Sequence, residues 1–361
     1  MRTKSFLIFI SCVFVTTVFL IIFGSQQSDS LQNIVTSTHQ QIRNFQDNLR
    51  DAEQKNFVAS EKYLKKLCFT ENPRLYPNAI WQNTSLPVFV TYVREGQQSQ
   101  AVGLILNITK VLLNHTILVY DIGLSYGGLQ TLINYCNNSH CQIINYDLNE
   151  FPSHIDDDRG HAYRPLIIQD ALCKTGAIIF LENNQRLAKH TSLTKILNLY
   201  QRALHGSGIL VWPMANAVSS LTHPKMFDYF HTEPDNFYFL QMAEIDRLII
   251  INKASIHKNI MLPWVQCALT ADCMLPIGAQ SGGCRFDKKP HYRYSGCHNY
   301  DVSALSIVLG LTHGFNESNY YVKTSKPLFV KVSLDKAVTE LITLEHNATN
   351  ESSSLINNII S

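Results

Sequence analysis

The sequence predicts an α/β domain built on a mostly parallel open sheet with flanking helices, behind an N-terminal transmembrane helix and a helical stem. Three observations predict it. An uninterrupted apolar run, Phe6 to Phe23, follows two cations, Arg2 and Lys4. Short β-branched and aromatic runs recur through the rest of the chain, with helical stretches between them. Continuous apolar runs suit strands buried on both faces of a parallel sheet. Strand–helix alternation is what an open α/β sheet requires.

The apolar run is about the length needed to cross a bilayer core of roughly 30 Å as a helix. The cations ahead of it hold the N-terminus in the cytoplasm. Residues 1–24 therefore read as a cytoplasmic tip and a single-pass, type II signal-anchor in the membrane. The body is then expected in the Golgi or endoplasmic-reticulum lumen, or at the cell surface. A cleaved signal peptide is the alternative. The stretch is long for a signal core, however, and no small-x-small cleavage site follows it.

Two features agree with a luminal body. Seven N-x-Ser/Thr sequons follow the run, at Asn83, Asn107, Asn114, Asn137, Asn316, Asn347 and Asn350, and mark a candidate glycoprotein. Cys12 lies in the apolar run. The other eight cysteines are Cys68, Cys136, Cys141, Cys173, Cys267, Cys273, Cys284 and Cys297. An even number suits disulfides in an oxidising compartment. Cys136 with Cys141, Cys267 with Cys273 and Cys284 with Cys297 are the closest-spaced pairings, although spacing does not dictate connectivity. Zinc is the rival reading for the last four, but they lack C-x2-C knuckles.

Residues 25–67 form the stem. The stretch 25–60 is polar and free of Gly and Pro, with Leu31, Val35, Thr38, Ile42, Phe45, Leu49 and Ala52 in an a/d-like pattern. That pattern suits a solvated spacer helix, or a short coiled coil pairing two chains as a homodimer. The body runs from Cys68 to Ala337. Its strands are expected at Val88–Val93, Thr116–Tyr120, Gln142–Tyr146, Ala177–Leu181, Gly208–Trp212 and Leu248–Ile251. Helices are expected at Gln98–Leu113, Gly127–Tyr135, Pro165–Leu172, Ser192–Leu204 and Tyr300–Leu311. Residues 338–361 read as a loose glycosylated tail. Apolar residues make up 45% and charged residues 16%, with a net charge of +2. This balance gives no electrostatic case for a nucleic-acid partner.

Tyr120 to Ser125 ends a strand and turns into a helix, which is where open α/β sheets place ligands. The turn lacks G-x-G-x-x-G, so no dinucleotide is implied. No P-loop is present. Asp156, Asp157 and Asp158 read as a solvated acidic turn, because they precede a helix and do not end a strand.

Five segments carry a resemblance. They are DIGLSYGGLQTL (121–132), FPSHIDDDRGHAYRPLIIQDAL (151–172), GAIIFLENNQR (176–186), WVQCALTADCMLPIG (264–278) and CHNYDVSALSIVLG (297–310). In this order they resemble an uncharacterised family of type II membrane proteins, abundant in nematodes, with a domain of unknown function. That domain is similar to the nucleotide-diphospho-sugar transferase (GT-A) superfamily. The resemblance covers roughly residues 85–312.

It implies a GT-A-like luminal domain that acts as a glycosyltransferase on a sugar-nucleotide donor and a glycan acceptor. In such a site Mn²⁺ or Mg²⁺, held at a strand end, offsets charge on the leaving diphosphate. Here Glu182 and Asn184 stand at the metal-ligand positions, with one carboxylate where an Asp-x-Asp has two. The resemblance gives Asp301 and His298 catalytic or sugar-contacting roles. It gives Arg94, Asp121 and Arg164 nucleotide contacts. Each has a bland counterpart: a helix cap for Asp301, a structural ring for His298, and ordinary ion pairs for the arginines. Two other functions stay open. One is a non-catalytic module of the same fold that binds a glycan or a protein. The other is a surface adhesion protein with no nucleotide site.

Overall fold

The computed structural model describes residues 61–70, 75, 87–112, 114–137, 140–287, 290–324 and 326–346. The anchor, most of the stem, and Asn83, Asn347 and Asn350 lie outside them. Among the described residues no helix is long and apolar enough to cross a membrane.

Strands β1 (Val88–Val93), β2 (Ile117–Asp121), β3 (Cys141–Asn145), β4 (Ala177–Leu181), β6 (Ile209–Ala217) and β7 (Gln241–Ile251) form one sheet in the order β3-β2-β1-β4-β7-β6. A short ribbon pairs β5 (Gln185–Leu187) with β8 (Phe329–Lys331). The first four strands of the sheet run parallel. Strand β7 runs antiparallel to both β4 and β6. The parallel strands β1, β2 and β4 are buried along their whole length. Such a strand hides both faces, so it reads as a continuous apolar run. The two edges of the sheet differ from this pattern. β3 is only half-buried, and β6 tolerates Pro213 because an edge strand can spare a ladder N–H.

Helices α1 (Gln98–Val111), α2 (Tyr126–Tyr135), α3 (Tyr163–Thr175), α4 (Leu193–His205), α5 (Leu262–Leu269) and α6 (Tyr300–Thr312) cover the sheet. On one face Ala101, Leu104 and Ile105 of α1 and Ile196 and Ala203 of α4 pack on Phe89, Val119, Ile179 and Ile249. On the other, α3 lies on β4 and packs against α5, which packs against α6. Helix α3 stops at Gly176, whose φ of 80° is the left-handed conformation that suits glycine. The chain turns there directly into β4, so α3 and β4 share the centre of the domain.

Four disulfides join Cys68 to Cys173, Cys136 to Cys141, Cys267 to Cys273 and Cys284 to Cys297. The three short-range pairs match the closest spacings. The fourth closes a 105-residue separation and ties the start of the packed domain to α3.

Several boundaries differ from expectation. Strand β7 begins at Gln241, not Leu248, because its first half, QMAEIDR, mixes buried and half-buried residues without the continuous apolar run of its second half. The ribbon β5–β8 gave no sequence signal, since three-residue strands are too short to show a period. Residues 61–66 are helical, and Leu64 and Leu67 are buried in the body, so the packed domain starts before Cys68. Residues 334–346 form a helix, so the boundary at Val338 falls inside an ordered element, anchored by buried Ala337.

Candidate functional site

Apart from His298, the candidate residues gather at the carboxyl edge of β1, β2 and β4. At its centre Arg164, in the first turn of α3, reaches three carboxylates. Its Nε donates to Asp301 Oδ2 at 2.7 Å and its Nη2 to Asp301 Oδ1 at 2.8 Å. Its Nη1 donates to Glu182 Oε1 at 2.9 Å and lies 3.9 Å from Asp246 Oδ1. Tyr92 Oη, near the carboxyl end of β1, donates to Glu182 Oε2 at 2.7 Å. Trp264 Nε1 holds α6 in place by donating to the Asp301 carbonyl at 3.0 Å. Arg164, Glu182 and Asp301 have side-chain exposures of 6%, 11% and 1%, so water contributes little to satisfying them.

Burial raises the Glu182 carboxyl above the ordinary range, against the pull of Arg164. It also pushes Asp301 up to about 7. Arg164 is held firmly in its charged form, because the pull of Asp301 and Glu182 overcomes its own burial. Two left-handed non-glycine residues flank the cluster: His161, with φ 47°, three positions before Arg164, and Tyr300, with φ 45°, just before Asp301. Such backbone costs about 1–3 kcal/mol each and persists only where the surroundings fix it.

The rim is also paired. Arg94 meets Asp156 at 2.8 Å and Asp158 at 2.7 Å and lies over the Tyr163 ring at 5.1 Å. The acidic turn is thus a surface feature that holds Arg94. His161 Nδ1 meets Tyr163 Oη at 2.8 Å, and burial together with Arg164 pushes its ring down to about 3, so it is neutral. Arg159 pairs with Asp157, Arg247 with Glu244 and Lys331 with Asp246.

The β2–α2 turn takes the same form. Gly123, at φ 126°, lets the chain fold back. Asp121 Oδ1 accepts from the N–H groups of Gly123 at 3.0 Å and Leu124 at 2.8 Å. Glu95 Oε2 accepts from Ser125 N–H at 2.6 Å. Donors of this kind, ahead of a helix, are a ready anion site. Here the protein's own carboxylates fill it.

Glu182 and Asp301 therefore converge on a guanidinium. A divalent ion needs carboxylate oxygens that no other cation already holds. Glu182 already accepts from Arg164 and Tyr92, the Arg164 guanidinium beside it sets a positive charge against a second cation, and Asn184 Oδ1 lies 3.3 Å from Gln185 Nε2. The expected metal ligands do not fit Mn²⁺ or Mg²⁺. Among the described residues no three His, Cys, Asp or Glu side chains are grouped to hold a metal.

His298 sits apart from the cluster. Its Nδ1 accepts from His223 N–H at 3.1 Å, and its ring lies 4.8 Å from that of Tyr300. Burial pushes it down to about 3, which leaves a neutral packing ring. Asn107 lies within α1, and its Oδ1 accepts from Leu187 N–H at 2.7 Å. Asn114, Asn137 and Asn316 are exposed.

Sequence reasoning missed Tyr92, Glu95, His161, Tyr163, Asp246 and Lys331. Asp246 sits in the unrecognised half of β7. His161 and Tyr163 lie within the family-like HAYRP stretch, which was the available signal.

No protein-family model matches the chain, and no curated relative matches it. Solved glycosyltransferases are distantly similar. The bifunctional glycosyltransferase WbbM, in apo form, is 12% identical with a TM-score of 0.36, over 50% of this chain and 34% of its own. The galactosyltransferase LgtC, with donor and acceptor sugar analogues, is 12% identical with a TM-score of 0.33, over 49% and 62%. The mannosyltransferase Ktr4p from S. cerevisiae is 8% identical with a TM-score of 0.36, over 71% and 75%. The chain thus spans about a third of WbbM and under two thirds of LgtC. At TM-scores below 0.5 these likenesses carry no weight on function.

Proposed function

We propose that the body is a glycosyltransferase-like domain that binds carbohydrate at the carboxyl edge of its sheet and performs no metal-dependent transfer. What carries this reading is the pairing of Glu182 and Asp301 with Arg164. A carboxylate buried against a guanidinium is neither a free metal ligand nor a free base. The rim supports the same reading. Arg94, Arg159, Arg247 and Lys331 each face a carboxylate, and the β2–α2 turn donors are taken by Asp121 and Glu95. No described cation at this edge stands ready for a diphosphate, whereas sugar hydroxyls can both donate to and accept from such paired groups.

The test is a thermal-shift and turnover screen of the purified body. Neutral oligosaccharides are expected to raise Tm, since a ligand of the native state must stabilise it. UDP-, GDP- and CMP-sugars with Mn²⁺ are expected to give no product. Transfer or hydrolysis that requires Mn²⁺ overturns the reading. A Tm unmoved by every sugar ligand also overturns it and favours an adhesion role. The reading places the body in the secretory lumen behind the N-terminal anchor, on the strength of the charge and length of residues 1–24. Digestion of the body by protease added to intact microsomes would reverse that placement.

A further inference from the structure

We propose that Asn107 carries an N-linked glycan whose first sugars lie in the groove between α1 and the helix at 334–346. The proposal rests on the luminal placement of the body given above. It separates this sequon from the others and gives its glycan a fixed seat on the fold. The groove has a volume of about 580 Å³, within the range of pockets that hold small ligands. Its walls are mostly apolar and include Leu106, Leu341 and Leu344, while Lys110, Thr339 and Thr343 add polar groups. Leu344 remains 39% exposed. Open apolar grooves of this kind mark binding surfaces. Here the wall itself supplies an attachment point, because Asn107 also lines the groove and begins the sequon Asn107-Ile108-Thr109.

The two ends of the Asn107 amide have different duties. Oδ1 accepts from Leu187 N–H at 2.7 Å, so the carbonyl ties α1 to β5. Nδ2 has no acceptor among the described residues and is not shut away from solvent. Glycosylation uses the nitrogen alone. It attacks the anomeric carbon of a polyprenyl-diphosphate oligosaccharide. The C–N bond forms, the C–O bond to the diphosphate leaving group breaks, and one amide proton departs. The transfer acts on the chain as it enters the lumen, before α1 is packed, so the helical position does not block it. The linked amide keeps its carbonyl acceptor and one N–H, so the bond to Leu187 survives the modification. The core N-acetylglucosamine rings present C–H faces and acetyl methyls to the leucines, and hydroxyls to Lys110, Thr339 and Thr343. Asn114, Asn137 and Asn316 differ. They are exposed, and none of them lines the groove.

The test uses the full chain expressed in a eukaryotic secretory host. Peptide-N-glycosidase in heavy-oxygen water, applied to the native and then to the denatured protein, converts each freed site to a mass-labelled Asp that peptide mass spectrometry locates. Asn107 should be occupied, and the native protein should release its glycan several-fold more slowly than the occupied exposed sites. Thr109→Ala removes the sequon but keeps Asn107 and its bond to Leu187, whereas Thr109→Ser keeps the sequon. Amide hydrogen exchange across 334–346 should be faster in T109A than in wild type or T109S. A bare Asn107 on a chain whose exposed sequons carry glycan overturns the proposal alone. Release from Asn107 as fast as from the exposed sites, or equal exchange in T109A and T109S, places the glycan in solvent and overturns the seat. The digestion reads on wild type, so it decides the matter even if T109A fails to fold. A chain with no glycan at any sequon overturns the luminal placement and the proposal together. None of these outcomes depends on the oligosaccharide screen, so the failure of either leaves the other readable.

Discussion

Two arginines at the carboxyl edge each face acidic side chains, and the contrast between them separates what the fold depends on from what the surface presents. Arg164 is 6% exposed, with partners Asp301 and Glu182 at 1% and 11%. Arg94 is 19% exposed, with partners Asp156 and Asp158 at 62% and 67%. The distances are nearly the same, but the dielectric is not. Water screens the Arg94 pairs and can replace either partner. Around Arg164 water is excluded, so each charge depends on the others, and loss of one member leaves the rest stranded. Equal geometry thus yields a fixed cross-link in one place and an adjustable rim in the other.

The largest effect should come from breaking the buried set. Arg164→Ala, in metal-free buffer, leaves Glu182 and Asp301 without their cation, and loss of one partner of a buried pair typically costs about 3–5 kcal/mol. Urea denaturation of both proteins measures this. A loss below about 1 kcal/mol would place Arg164 in the same class as Arg94 and erase the contrast.

Next in size is a dependence on pH that only the buried set should show. Folding raises the Asp301 carboxyl from 3.8 to about 7, so the folded state holds that proton more tightly than the unfolded chain. Its stabilising contribution is full below about 3.8 and is lost as pH rises through about 7. The stability of wild type relative to Asp301→Asn should therefore fall across that window. A difference that rises with pH would mean that Arg164, and not burial, governs this carboxyl. A smaller loss is expected from Tyr92→Phe. Glu182 Oε2 would keep its place but lose its buried donor, at about 1–3 kcal/mol.

Much of this contrast was hidden in the sequence, for identifiable reasons. The strand at Val88–Val93 was legible to the residue, because a strand buried on both faces is apolar throughout. The first half of β7 was not, because its polar and apolar residues follow neither a strict alternation nor a continuous apolar run, and Asp246 was lost with it. Glu182 and Asp301 were legible as candidates from two separated segments. Their shared partner was not, since Arg164 reaches Asp301 across 137 positions. Residue type could not show whether that arginine faced a phosphate or a carboxylate, because a guanidinium binds both in the same bidentate way. Burial decides it, and burial belongs to the packing of α3, α5 and α6. The acidic turn at 156–158 was correctly legible as surface, but its link to Arg94 needed the fold.

The smallest expected effect on stability is at the rim, and it is the sharper test of function. Arg94→Ala should change stability by about 1 kcal/mol or less, because exposed pairs contribute little and Asp156 and Asp158 can return to water. The buried ring of Tyr163 also loses the cation over its face, an interaction worth about 0.5–1 kcal/mol or somewhat more. Ligand binding should respond differently. If carbohydrate sits on this edge, Arg94 offers hydrogen-bond donors at its margin while Asp156 and Asp158 offer acceptors, so R94A should weaken binding several-fold with Tm almost unchanged. Isothermal titration with whichever oligosaccharide gives the largest thermal shift measures the affinity, and urea denaturation of the same samples measures the fold. Weaker binding with intact stability assigns the rim to recognition and the Arg164 cluster to architecture. Unchanged affinity in R94A, set beside a large stability loss in R164A, would leave the buried half of the comparison standing and move the sugar-binding surface away from Arg94.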